Sequence, residues 1–267
     1  MKLPLAILSW AAILSAQSLK PETVQAFDCY VQSVEAHMQA GGRFMAADSN
    51  SGLQDQLVKA QKIVTIPGNG TNPHRIPGGM VYDWIGTVFI PGVTLEHTIH
   101  MLQDYDHRAR YFPEMVSASK LLCRTGSDRF VVRMTLKEPA VIETESDVTW
   151  ERIDEHRMQL RSYSTKVREI GKQHNYLLGL NSYWRFAETP KGVFVQSETI
   201  TLSGEFGSLM RTLGSLAGIN PEKSVRKSLE QMRESQLNPR FDFALPPAGL
   251  PGCGEGFHPG ACPSPAR

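Results

Sequence analysis

The chain has 267 residues, of which 41% are hydrophobic, 21% charged and 8% aromatic, a globular composition that excludes collagen-like, coiled-coil, mucin-like and wholly disordered classes. Lys and Arg total 28 against 27 Asp and Glu, a net charge of +1, so no long-range field draws a polyanion and nucleic acid is not an expected partner. The four cysteines, Cys29, Cys123, Cys253 and Cys262, contain no CxxC pair or zinc-module spacing and are too few for a disulfide scaffold.

Met1 and Lys2 precede an uncharged run over 3–14 and the small or polar residues Ser15, Ala16, Gln17 and Ser18. This is the three-part layout of a secretory signal with a cut after Ala16 or Ser18. The run contains Pro4 and is shorter than the about 18 apolar residues a spanning helix needs. The expectation is a signal peptide over 1–18 and a periplasmic or secreted mature chain without a transmembrane segment. In such an oxidising space Cys253 and Cys262 could close a small loop in the tail, or remain two surface thiols. Cys29, near Phe27 and Tyr30, and Cys123, near Leu121 and Leu122, read as buried small side chains.

Residues 19–78 read as a helical extension and loop. Val24, Phe27, Val31, Val34 and Met38 recur at three- and four-residue steps between Pro21 and Gly41-Gly42, which predicts an amphipathic helix over 21–38. A short helix over 53–61 and a strand over 62–66 follow, and the Pro- and Gly-rich stretch 67–79 reads as loop. Its Asn69-Gly70-Thr71 triplet matches a glycosylation acceptor, a pattern that arises often by chance.

From residue 79 the period shortens to two. A strand over 80–90 is apolar and β-branched; Thr94 caps a helix with Leu95, Ile99 and Leu102 on its apolar face, and a helical piece over 105–111 stops at Pro113. Alternating segments over 117–124, 130–137, 141–152, 158–170, 181–188 and 192–203, joined by short connections, predict antiparallel neighbours. Phe206, Leu209, Met210, Leu213 and Leu216 share a helical face, Gly218 interrupts it, and Asn220-Pro221-Glu222 starts a last helix that runs to about residue 236. Residues 238–267 hold seven prolines and five glycines, too many for a packed element, so an irregular tail is expected.

One strand, two short helices, a run of antiparallel strands and a long terminal helix are carried by 79–90, 94–105, 111–116, 180–187, 192–202 and the helix ending near 236. In this order of parts the stretch 79–237 resembles the START-like helix-grip superfamily, which includes polyketide cyclases, lipid-transfer domains and plant pathogenesis-related proteins. The resemblance implies an α+β fold: a curved antiparallel sheet wrapped around the long C-terminal helix, with an added N-terminal helical segment. Such a sheet touches the helix incompletely and leaves an apolar space, where a ligand gains roughly 25 cal/mol for each square ångström withdrawn from water. The expected partner is a lipid or another hydrophobic small molecule, and that task needs no catalytic residue, metal or cofactor.

Alternation sorts the sheet residues. Phe130, Val132, Met134 and Leu136 share one face, as do Val148 with Trp150, Met158 with Leu160, and Trp184 with Phe186. The expected ligand-binding set is Met134, Trp150, Leu160, Trp184 and Phe186 from the sheet, with Phe112, Met115, Met210 and Leu213 closing the space from the helical side. Plain core packing would account for each of them singly.

Tyr183, Arg185 and Glu198 are polar residues that could orient a substrate in the same space, which is the basis of an alternative reading as an aromatase or cyclase acting on a polyketide-like substrate. An exposed Arg185–Glu198 ion pair across the late hairpin is the simpler expectation. A third reading is an envelope interaction module that contacts partners through the N-terminal helix or the tail. His97, His100, Asp104 and His107 have metal-like composition but fall opposite Leu95, Ile99 and Leu102, on what reads as an exposed helix side. Glu143, Glu145 and Asp147 share one water-facing side of a strand and read as protection for a sheet edge. The chain contains no G-x-S-x-G elbow, P-loop, dinucleotide glycine fingerprint or HExxH helix.

Overall fold

The computed structural model describes residues 20–40, 42–69, 71–138, 140–171, 177–204, 220–241 and 243. Helix α1 (Pro21–Ala40) is followed by a 3-10 turn (Ala46–Ser49) and α2 (Ser51–Val58). Strands β1 (Val64–Pro67), β2 (His74–Ile76) and β3 (Gly79–Pro91) lead to α3 (Leu95–Gln103), a 3-10 turn (Tyr105–His107) and α4 (Arg108–Tyr111). Then come β4 (Val116–Gly126), β5 (Arg129–Leu136), β6 (Ile142–Arg152), β7 (Arg157–Glu169), β8 (Leu177–Thr189) and β9 (Gly192–Gly204), and finally α5 (Pro221–Leu237). The helix starts are where the capping residues put them. Asn50 Oδ1 accepts the Leu53 amide at 3.0 Å, Thr94 Oγ1 the His97 amide at 3.2 Å, and Asn220 Oδ1 the Lys223 amide at 3.1 Å, each satisfying a donor that a helix start leaves unpaired.

The strands form one antiparallel sheet in the order β1-β3-β9-β8-β7-β6-β5-β4, with β2 also paired to β3. The sheet is curved and does not close; register shifts between β4 and β5, β6 and β7, and β8 and β9 add local bend. With α3 and α4 between β3 and β4, and α5 after the last strand, this is the helix-grip arrangement expected from the sequence. Helix α5 lies close on β3 because of Gly86: a Cβ there would stand 2.5 Å from Val225 Cγ1 and 2.7 Å from Leu229 Cδ1, well inside the contact distance of carbon atoms.

Helices pack on both faces of the sheet, those on the outer face over β3, β9 and β8. On the inner face Val88, Ile90, Phe130, Trp150 and Phe186 pack with Ile99 and Leu102 of α3 and Leu229 and Met232 of α5. On the outer face Phe27, Tyr30, Val31 and Val34 of α1 pack on Val81, Tyr183, Ile200 and Leu202. Leu53 and Leu57 of α2 pack on Phe89 of the same face. No helix among the described residues is long and apolar enough to cross a membrane.

Several expectations change. The stretch 67–79 is not all loop, because β2 forms within it by pairing His74 with Val81; three residues carry too little alternation to be seen. Strands β1 and β2, placed with the N-terminal extension, belong to the one sheet. Glu143, Glu145 and Asp147 lie on β6, which has a neighbour on each side, so they guard no edge. Glu145 instead bridges Arg133 at 2.7 Å and Lys166 at 2.5 Å, and Glu143 meets Arg168 at 2.9 Å. Cys29 and Cys123 are disulfide-bonded, not buried free thiols, since apolar sequence neighbours say nothing about what lies across space. The helix expected over 206–216, the tail, and the Cys253–Cys262 loop fall outside the described residues.

Candidate functional site

Successive strand residues point to opposite faces, and the register gathers the inner face from distant parts of the chain. Phe186 stands opposite Met158 and Val195, Trp184 opposite Leu160 and Ser197, and Met134 opposite Thr144. The Trp184 and Trp150 rings each stack on Phe186, with centroids 6.4 Å and 6.0 Å away. Met134, Trp150, Leu160, Trp184 and Phe186 therefore join Phe112 and Met115 in one cluster, as the alternation predicts. Met210 and Leu213 lie outside the described residues.

The two ends of this face differ. Toward α3 and α5 the packing is close: Val88, Phe186, Val195, Leu229 and Met232 have no exposed surface. Here the Arg108 guanidinium stands 5.5 Å from the Tyr105 ring centroid and 5.7 Å from that of Phe112. Burial pushes the Tyr105 phenol up to about 12 and lowers the pKa of Arg108.

At the other end Trp84, Trp184, Met115, Met134 and Leu136 are only half-buried, and short hydroxyl side chains replace large ones. Ser162 stands opposite Ser182, Ser182 opposite Thr199, and Ser146 opposite Ser164. The hydroxyl oxygens of Ser119, Thr144 and Ser197 are buried without a hydrogen-bond partner among the described residues. An unpaired buried hydroxyl costs about 1–3 kcal/mol, so these groups favour a partner that the described residues do not supply. Small hydroxyl-bearing side chains beside broad apolar ones give this end of the face a mostly apolar surface with a few polar points.

Tyr183, Arg185 and Glu198 are not part of this face. They alternate with Trp184, Phe186 and Ser197, so they point outward, beneath α1 and the first 3-10 turn. The Tyr183 hydroxyl donates to Glu35 Oε1 at 3.0 Å, and Arg185 Nη1 donates to the Phe44 carbonyl at 2.8 Å. The Arg185–Glu198 pair is not the exposed one expected: the register makes the two diagonal neighbours, with Arg185 opposite Gln196 and Tyr183 opposite Glu198, and Arg185 favours the charged form of a Glu198 that is buried. Glu198 is 5% exposed because α1 covers it. The same alternation that placed Trp184 and Phe186 would have assigned all three residues correctly.

Two members of this outer group carried no sequence signal. Tyr30 donates to Asp83 Oδ2 at 2.9 Å, and burial raises the carboxyl pKa values of both Asp83 and Glu198. A cavity of about 170 Å³ opens between α1 and strands β7 and β8, lined in part by Glu35, Met38, Gln159, Arg161, Tyr183 and Arg185. The histidines of α3 and the following turn are engaged separately. His97 lies 3.4 Å from the Gln236 carbonyl, His100 pairs with Glu96 at 2.9 Å, and His107 with Asp104 at 2.7 Å.

No protein-family model and no curated protein matches this chain. Among solved structures it is similar to a STAR-related lipid transfer protein fragment from Xanthomonas axonopodis, at 14% identity, 63% of this chain and 98% of that one, with a TM-score of 0.45. It is also similar to human STARD10, at 11% identity, 70% and 78% coverage, and a TM-score of 0.42. A third likeness is to the Zhui aromatase/cyclase from Streptomyces sp. R1128, at 15% identity, 58% and 86% coverage, and a TM-score of 0.38.

Proposed function

We propose that this protein is an exported binding or carrier protein that holds a lipid or another hydrophobic small molecule against the inner face of its sheet. The reading is carried by one observation: half-buried Trp184 and Met134 share a face with the buried hydroxyls of Thr144 and Ser197, which have no partner among the described residues. An apolar body laid on those rings gains roughly 25 cal/mol for each square ångström withdrawn from water, and a polar atom on it relieves the unpaired hydroxyls. Export is supported by the leader-like residues 1–18 and by the disulfide bonds at Cys29 and Cys123, which persist in oxidising compartments.

Native mass spectrometry of the purified protein tests the reading, together with titration of a fluorescent fatty acid. The expected result is a co-purifying apolar molecule, or saturable dye binding that an unlabelled lipid reverses. Protein of bare polypeptide mass that leaves the dye free would end it. The aromatase or cyclase alternative loses the residues assigned to it, because Tyr183, Arg185 and Glu198 point away from this face. The interaction-module alternative loses the N-terminal helix, which buries its apolar stripe against its own sheet.

A further inference from the structure

Two carboxyls beneath α1 have no part in the inner-face reading. Asp83 of β3 pairs with Ile200, and Glu198 of β9 pairs with Ile85, so the two acids are diagonal neighbours on the outer face, within side-chain reach. They are 2% and 5% exposed. Asp83 is enclosed on several sides. The Tyr30 hydroxyl donates to its Oδ2, the Gly68 amide donates to its carbonyl at 2.9 Å, and the Asn72 side chain bonds both its amide and its carbonyl. A Cβ on Gly68 would stand 2.2 Å from Asp83 Oδ1, so bare backbone seals that flank. Oδ1 itself has no fixed donor among the described residues. The neighbouring Glu198 carboxyl lies within hydrogen-bonding reach of the Asp83 carboxyl and can donate to it when protonated.

We propose that Asp83 and Glu198 share one proton while α1 is docked, and that loss of this proton at rising pH loosens α1 from the outer face of the sheet. The charges around the pair fit a single shared proton. Arg185 and Tyr183 approach from β8, Tyr163 from β7, Tyr30 and Glu35 from α1, Asp48 from the 3-10 turn, and His74 from β2. Glu35 accepts the hydroxyls of Tyr163 and Tyr183. With one proton between Asp83 and Glu198, their remaining negative charge is balanced by Arg185. With none, an uncompensated negative charge is left where water is scarce, which is costly. Arg185 does draw Glu198 toward ionisation, but burial and the Asp83 charge outweigh it.

Undocking returns both carboxyls to water, where they ionise at about pH 4. The docked state thus keeps a proton that the undocked state releases. Docking is strongest in acid and weakens as pH rises, about tenfold per pH unit for one proton, until the docked pair ionises. Loosening is local, because Cys29 is held by its disulfide and Phe27, Val31 and Val34 supply apolar contact at any pH.

Hydrogen exchange of the oxidised full chain, read by mass spectrometry from about pH 5 to about pH 9 and corrected for the intrinsic amide rate, tests this. The α1 amides are expected to lose protection relative to those of β6, about tenfold per pH unit over part of that range. Glu198→Gln, which keeps the shape but cannot ionise, should flatten the α1 profile, and Asp83→Asn should do so independently. Protection of α1 that parallels β6 throughout, or an unchanged slope in both variants, would overturn the proposal.

Discussion

The Trp150 indole donates a hydrogen bond to the Tyr105 hydroxyl at 2.7 Å, joining the middle of the sheet to the turn between α3 and α4. Both residues are buried, so Tyr105→Phe strands an indole N–H without an acceptor. The expected cost is about 1–3 kcal/mol, seen as a lower urea midpoint at an unchanged m value. A loss below about 0.5 kcal/mol would mean that water takes the place of the phenol.

Gly86→Ala drives a carbon into Val225 and Leu229, and overpacking of this kind costs about 1–3 kcal/mol. Leu229→Ala alone should cost about 2–5 kcal/mol by leaving a cavity. Combined, the two changes should cost less than their sum, because each relieves the other. Strict additivity in a double-mutant cycle would contradict the close approach of α5 to β3.

The pH profile of stability should have two limbs of separate origin. Hydrogen bonds from Lys166 and Arg133 hold the Glu145 carboxyl below its usual range. Its contribution is therefore present above about pH 4 and lost as pH falls through the lowered value. Burial raises Asp83 and Glu198, so their contribution is full at acid pH and lost as pH rises through the raised values. Thermal melts across pH should show Glu145→Gln flattening only the acid limb and Glu198→Gln only the alkaline one. Either variant altering the other's limb would refute this division.

Ser197→Val replaces an unpaired buried hydroxyl with a methyl group and fills part of the inner face. Stability should hold or rise by up to about 1 kcal/mol, while affinity for a fluorescent fatty acid should drop about tenfold, or ~1.4 kcal/mol. Binding equal to that of the unaltered protein would move the ligand off this face.

Reducing the disulfides at Cys29 and Cys123 should destabilise the fold by about 2–4 kcal/mol for each bond broken. Thermal melts with and without dithiothreitol read the difference directly. Superimposable melts, with thiol counts proving reduction, would show that the bonds add nothing to the fold.

Much of the inner face was legible because a pleated strand turns successive side chains to opposite sides, a rule that needs only neighbouring residues. It grouped Met134, Trp150, Leu160, Trp184 and Phe186 before any contact was known, and it also separated Tyr183 and Arg185 from them. Grouping those two with the interior followed their polarity instead of their place in the pleat. The starts of α3 and α5 were equally local, set by Thr94 and Asn220 through bonds to amides three residues away.

What covers the outer face was beyond reach of such rules. The apolar stripe of α1 could be seen in the chain, but not the surface it would cover, because docking joins groups as distant as Glu35 and Tyr183, 148 residues apart. That contact turns Glu198 from an expected surface charge into a buried acid beside Asp83. Periodicity reports how a side chain leaves its own backbone; burial, charge state and disulfide bonding depend on whatever else packs there, and only the folded chain brings those partners together.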